Sequence, residues 1–219
     1  MHARTTDEED ALPRELYLGE GYFAWPQLVS LVHQIIDVHA TGARKILEIG
    51  KGSGFVSDFL AKAGMEVTTV DVNPNLEPDV LGSVLELDQH FEEDSFDCVL
   101  CAEVLEHLPF SEFETAIQQI ARVSRDSCIL TVPRLQRILV CFQARIKIPM
   151  FRWRMPGILL SIKGPQKKIY PGHHWEIGSS KETRLSGVRR KLRRSFEIRR
   201  DFALRWNPYH HFFHLKKTK

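Results

Sequence analysis

The sequence predicts an α/β protein built on a doubly wound, seven-stranded sheet, mostly parallel with an antiparallel last strand. Three observations lead there. Short apolar or β-branched runs alternate with helical periodicities over roughly the first 130 residues, the pattern of an open parallel sheet with helices on both faces. The first of these runs, KILEIG, passes directly into a glycine-rich turn that opens a helix. The last two strand-like runs are separated only by RWNPY, a break short enough for a hairpin.

Residues 26–39 place Leu28, Leu31, Val32, Ile35 and Ile36 on one helical face, with Pro26 suited to a first turn. KILEIG (45–50) is the first strand, and SGFVSDFLAKAG (53–64) is a helix that stops at Gly64. EVTTVDV (66–72) is a β-branched second strand with Asp71 near its end. A short third strand falls within 79–87 and a fourth within 95–104. In the helix 111–124, Ser111 and Glu114 have the spacing of a capping box. SCILTVP (127–133) is the fifth strand. Residues 134–172 then break the pattern: they are basic, apolar and interrupted by proline, too long for a simple connection. Regularity returns at Ser179, where Ser179 and Glu182 form a second expected capping box, and strands at 196–204 and 210–217 close the fold. Residues 1–219 therefore read as a single domain, with 134–178 inserted between the fifth and sixth strands as a lid.

Charge is unevenly distributed. Residues 1–126 hold 8 Lys/Arg against 24 Asp/Glu, and residues 127–219 hold 22 against 4. No acid lies between Asp126 and Glu176. Such a surface steers anions toward itself, unless the two halves neutralise each other in the fold. The N-terminal MHARTTDEED lacks the apolar core of a secretory signal, and no run approaches the roughly 20 apolar residues that span a bilayer. A cytoplasmic location is expected. Cys98 and Cys101 are spaced as C-x-x-C but lie on a strand, where residues three apart point to opposite faces. With Cys128 and Cys141 they are expected to be reduced thiols, and no zinc site is expected.

The glycine turn carries the chemistry. Gly50, Gly52 and Gly54 alternate, unlike the G-x-G-x-x-G of dinucleotide folds, and no Lys-Ser/Thr pair marks a phosphate-binding P-loop. Glu48, two residues before the first glycine, would repel a pyrophosphate yet favour a cationic amino or sulfonium group. These residues resemble the first motif of class I S-adenosylmethionine-dependent methyltransferases, of the small-molecule type 11 kind, with its Rossmann-like sheet. Asp71, 17 residues after Gly54, is similar to the family's ribose-binding acid, and a carboxylate accepts from both hydroxyls of a cis-diol. DSFDCVLCAEVLEHLP (94–109) is similar to the family's fourth-strand segment.

The resemblance implies S-adenosyl-L-methionine as cofactor, held by Glu48, Gly50, Lys51, Gly52, Gly54, Asp71, Val72, Ser83, Val84, Ala102 and Glu103. At the adenine end this chain has Gly82-Ser83 where many relatives have Gly-Asp, so a hydroxyl replaces a carboxylate there. Candidate acceptor-binding or basic residues are His107, after the fourth strand, and His173, His174 and Glu176 in GHHWEIG. Glu103 and Glu106 lie beside His107. Some quinone-type relatives are thought to use such an acid and histidine with a divalent metal, but nothing else in the sequence demands one, and no metal is expected. Trp175 is the alternative purpose of GHHWEIG, as an anchor in the core. His210 and His211 read as ordinary sheet positions, and Tyr22, Phe23 and Trp25 as residues that either close over the cofactor or pack a helix on the sheet.

The acceptor classes are a small molecule, a glycan or a lipid-linked compound. The last is suggested by Arg137, Arg145, Lys147, Arg152 and Arg154 among bulky apolar residues, a composition suited to an anionic membrane surface. RNA is disfavoured, because no appended RNA-binding module is recognisable, although RRKLRR (189–194) would suit a phosphate backbone. A non-catalytic binding protein of the same fold is the remaining alternative.

Overall fold

The computed structural model describes residues 12–19, 24–144, 158–165 and 169–218. Its helices are α1 (Trp25–Ala40), α2 (Phe55–Lys62), α3 (Phe113–Val123) and α4 (Leu185–Leu192). Its strands are β1 (Lys45–Ile49), β2 (Glu66–Asp71), β3 (Val80–Leu81), β4 (Phe96–Ala102), β5 (Ser124–Pro133), β6 (Gln136–Ala144), β7 (Ile158–Pro165), β8 (Phe196–Ala203) and β9 (His210–Lys217).

Seven strands form one sheet in the order β3-β2-β1-β4-β5-β9-β8. The first five are mutually parallel, and β9 runs antiparallel to both β5 and β8, as the RWNPY break predicts. Strand order reverses between β1 and β4, and in open α/β sheets ligands bind at the strand carboxyl ends beside such a reversal.

Alternate residues of the central strands feed two cores. Cys98, Leu100 and Ile129 point to the side covered by Leu31, Val38, Val56 and Leu60 of α1 and α2. Val99, Cys101, Cys128 and Leu130 point to the side covered by Phe113, Ile117, Ile120, Val188 and Leu192 of α3 and α4. Cys98 and Cys101 therefore sit on opposite faces of the sheet, and Cys98, Cys101 and Cys128 are free and buried.

Three local expectations need correction. Residues 134–172 are not wholly irregular, because β6 and β7 pair as an antiparallel hairpin, Gln136 opposite Pro165 through Ala144 opposite Ile158. Ser111 does not cap α3: its N-cap is Glu112, with no side-chain cap bond. Glu114 turns instead to Lys191 (3.2 Å) and Arg194 at α4. Ser179 does not open α4, which begins at Leu185. Its hydroxyl accepts from the Glu176 backbone N–H at 3.2 Å and so fixes the turn before the helix. Among the described residues, no helix is long and apolar enough to cross a membrane.

Candidate active site

The glycine turn lies where β1 ends. Gly50 has φ +82°, and a Cβ there would stand 2.3 Å from Val104 Cγ2, so both the backbone and the close approach of the turn after β4 require glycine. Gly54, also left-handed at φ +77°, is the N-cap of α2. Asp71 closes β2 beside this turn. Its Oδ2 accepts from the Lys51 N–H (2.8 Å) and its Oδ1 from the Asn73 N–H (2.9 Å). Burial raises its pKa and these backbone donors oppose the rise. Each oxygen has further lone-pair capacity for an incoming hydroxyl.

Glu48 is buried beneath the turn. Burial lifts its pKa to about 8 against hydrogen bonding from Ser57, and its Oε2 has no partner. Lys51 Nζ reaches across to the Glu77 carbonyl. Next to Asp71, the Gly82 N–H donates to the Asp71 carbonyl at 2.9 Å. The Ser83 hydroxyl, expected near adenine, accepts from the Leu85 N–H at 3.2 Å and caps the 3-10 turn Val84–Gln89. Val72 is exposed and Val84 buried. His90, not singled out from sequence, packs so close to Gly82 that a Cβ there would lie 2.7 Å from its Nε2.

Ala102 ends β4, and the next residue, Glu103, takes a left-handed conformation at φ +55° while its N–H bonds the Thr131 carbonyl (3.1 Å). Non-glycine residues held there concentrate at functional sites. This kink leads into Leu105–His107, a single 3-10 turn.

Residues 170–177 are stitched against that turn. The Trp175 indole donates to the Leu105 carbonyl (3.1 Å) and packs against Phe110 and Phe113, while the His174 N–H donates to the Glu106 carbonyl (2.8 Å). His174 turns its side chain to solvent, so only its backbone joins the cluster. His173 and His107 meet edge to face at 4.9 Å. Glu176, fully buried, is the hub: its Oε1 accepts from Tyr209 Oη (2.6 Å), the Tyr170 N–H (2.8 Å) and His173 Nδ1 (3.0 Å). His210 Nε2 lies 3.5 Å from Glu103 Oε2.

The structure thus brings His107, His173, Glu176 and Glu103 together at the carboxyl edge, and adds Glu106, Tyr170, Tyr209 and His210. Glu103-x-x-Glu106-His107 was a local signal for Glu106. Tyr209 and His210 had none, because only the return of β9 beside β5 carries them to the site. Trp25 is exposed at the start of α1, and Tyr22 and Phe23 fall outside the described residues. So do Arg145, Lys147, Arg152, Arg154 and the Arg137 side chain.

Residues 47–132, which span the glycine turn, Asp71 and the Glu103–His107 turn, match the family described as a methyltransferase domain. The fold is also similar to that of solved methyltransferases. It is similar to the N-methyltransferase NodS of Bradyrhizobium japonicum in complex with S-adenosyl-L-homocysteine, at TM-score 0.61 and 14% identity over 98% of this chain and 97% of that one. It is also similar to magnesium protoporphyrin IX methyltransferase of Synechocystis with bound S-adenosylhomocysteine, at TM-score 0.57 and 16% identity over 93% and 92% of the two chains. In sequence it is similar to the ubiquinone biosynthesis O-methyltransferase of Xanthomonas campestris pv. campestris, 37% identical over 94 residues, 37% of this chain and 39% of the relative. The corresponding protein of Xanthomonas oryzae pv. oryzae is 32% identical over 114 residues, 46% of each chain. The chain thus spans less than half the length of these curated relatives.

Proposed function

We propose that this chain is an S-adenosylmethionine-dependent methyltransferase that methylates an oxygen of a small-molecule acceptor. The observation that carries the reading is Asp71, held by two backbone N–H groups beside a left-handed glycine turn, with carboxylate capacity left for a ribose diol. The relatives named as O-methyltransferases of ubiquinone biosynthesis support oxygen as the atom methylated and a ring compound bearing a lipid as acceptor. A cytoplasmic site of action, and segment 134–178 acting as a lid that rests on an anionic membrane, belong to the same reading.

The reaction needs little from the protein beyond alignment. The acceptor oxygen attacks the methyl carbon, the C–S bond breaks toward sulfur, and the neutral thioether S-adenosylhomocysteine leaves. Holding oxygen in line with that bond supplies effective molarities of roughly 10⁵–10⁸ M. The acceptor hydroxyl also loses a proton, for which the carboxylates and imidazoles of Glu103, Glu106, His107 and His173 stand ready, a contribution of about 10²–10⁴-fold. Trp175 and its aromatic neighbours keep water from the floor of the cluster.

A divalent cation also fits these residues, since Glu106 is fully buried with both carboxylate oxygens unpartnered and His107 follows it in the same turn. Bound there, it would lower the pKa of an acceptor hydroxyl.

The test is methyl-labelled S-adenosylmethionine, supplied with purified protein and a host extract, then partitioned between organic solvent and water. Label in the organic phase, lost with Asp71→Ala, is the expected result. Label confined to water would remove the lipid-linked acceptor, and unchanged cofactor affinity in Asp71→Ala would overturn the cofactor assignment.

A further inference from the structure

The outer surface of α1 and α2 departs from what packing on the sheet requires. Leu31, Val38, Val56 and Leu60 turn inward to the core, so the opposite face of each helix should be polar. Instead Val32, Ile36 and Phe59 are 45%, 53% and 52% exposed, and Phe55 is exposed beside them. With Ile35 and Ala63 these side chains line a groove of about 430 Å³ between the two helices, within the size range of small-molecule sites. Its lining includes His39 and, among the described residues, no lysine, arginine or carboxylate. A contiguous apolar surface of this kind marks a place of binding.

The position of the groove narrows the choice of ligand. Both helices run from the carboxyl edge of the sheet toward its amino edge, since each ends just ahead of a strand, α1 before β1 and α2 before β2. One wall begins at the cofactor turn, because Phe55 follows Gly54, the N-cap of α2. From Phe55 to Ala63 that wall extends about 12 Å at the helical rise per residue. The other wall is fastened to the acceptor side. Asn207 Nδ2 donates to the Pro26 carbonyl (3.2 Å) and to Ser30 Oγ (3.0 Å) near the start of α1, and Asn207 lies two positions before Tyr209. The groove thus leads away from the edge that holds the glycine turn and the Glu176 cluster. It offers van der Waals contact but no ionic partner, so a phosphate or other charged head would gain nothing there, whereas a hydrocarbon chain would bury its whole surface.

Taking the lipid-linked acceptor of the preceding reading as given, we propose that the groove between α1 and α2 holds the acceptor's hydrocarbon tail, an acyl or prenyl chain. Tail recognition then belongs to the two helices, and attraction to an anionic surface to the basic segment, so the two functions fall to different parts of the chain.

The full-length protein would be titrated by calorimetry with 1-hexanol, 1-octanol and 1-decanol, a test that does not require methyl transfer. Wild type should bind one molecule per chain, with affinity rising roughly fourfold for each added methylene. Phe59→Glu and Ile36→Glu, which place a charge on the groove wall, should each weaken decanol binding more than tenfold. Ala63→Phe, which fills the far end without adding charge, should lower affinity for decanol more than for hexanol, and it decides the matter if the glutamate variants fail to fold. Leu16→Glu, on an exposed side chain of the N-terminal 3-10 turn, should leave binding unchanged. Absence of saturable binding, affinity independent of chain length, or wild-type affinity in the groove variants would each overturn the proposal. So would a dimer in sedimentation that Phe59→Glu dissociates, because a second copy would then cover the groove. S-adenosylhomocysteine affinity, measured on the same samples, separates the readings. Alcohol bound without it would overturn the proposed function and leave the hydrocarbon site standing; S-adenosylhomocysteine bound without alcohol would remove the groove alone.

Discussion

Gly50 can be no other residue. Alanine there would bring its Cβ against Val104 while holding a left-handed φ. Gly50→Ala should therefore lower the melting temperature and weaken S-adenosylhomocysteine binding at least tenfold; calorimetry showing wild-type affinity would remove the turn from the cofactor site. Glu48 makes a different prediction. With a pKa of about 8 folded against 4.5 as its ordinary value, it binds more proton in the native state between those limits. Its contribution to stability is present at low pH and lost as pH rises through 8. His210 and His211, lowered by burial to about 3 and about 4, act oppositely, but only below their ordinary 6.5. Ligand-free protein should thus lose stability from pH 6.5 to 8, and Glu48→Gln should flatten the slope by up to about 1.4 kcal/mol per pH unit. Urea unfolding at several pH values in that window gives the answer, and parallel slopes for the two proteins would refute it. Both residues were legible because the turn, the acid before it and Asp71 form a local motif. Tyr209 and Glu176 were not legible as partners, since 33 positions separate them and no periodicity records which loop folds beside which.

Segment 170–177 shows how an element without regular structure is held. Of its alternative readings, the core anchor is realised: Trp175 is 2% exposed and anchors the segment, and by doing so fixes the residues on either side of it. Trp175→Ala should cost about 3–5 kcal/mol by cavity formation. It should also loosen segment 170–177, so that the His174 N–H, bonded to the Glu106 carbonyl, loses hydrogen-exchange protection along with the global stability. Unchanged protection at that amide would mean that the anchor and the cluster are independent. The capping boxes at Ser111 and Ser179 failed for a tertiary reason. Glu114 is drawn off by Lys191 and Arg194, and Ser179 by the backbone of Glu176. The β6–β7 hairpin was hidden because the sequence between its strands, 145–157, is long, basic and interrupted by Pro149 and Pro156, without the short turn signal on which hairpin recognition depends.

At the scale of the molecule, part of the charge asymmetry is internal. Glu114 with Lys191 and Arg194, Asp126 with Lys216, and Asp94 with Lys217 each join the acidic half of the sequence to the basic half. These pairs are partly exposed and stabilise little individually. The acid-free stretch 127–175 has no such compensation within itself. Vesicles with anionic lipid should bind the protein at low ionic strength and release it at about 0.5 M salt, where charges are screened beyond about 4 Å. Equal binding to neutral vesicles, or none to anionic ones, would separate the basic segment from any membrane role.

The sheet order has one more consequence. β9, the last strand in the sequence, is an interior strand, and β8 has no other partner in the sheet. During synthesis on the ribosome, β5 must wait with a bare edge until β9 emerges, after β6, β7, α4 and β8. The same late arrival brings Tyr209 to Glu176. A nascent chain can thus bury the glycine turn early, while the cluster around Glu176 assembles only once β9 has returned to β5.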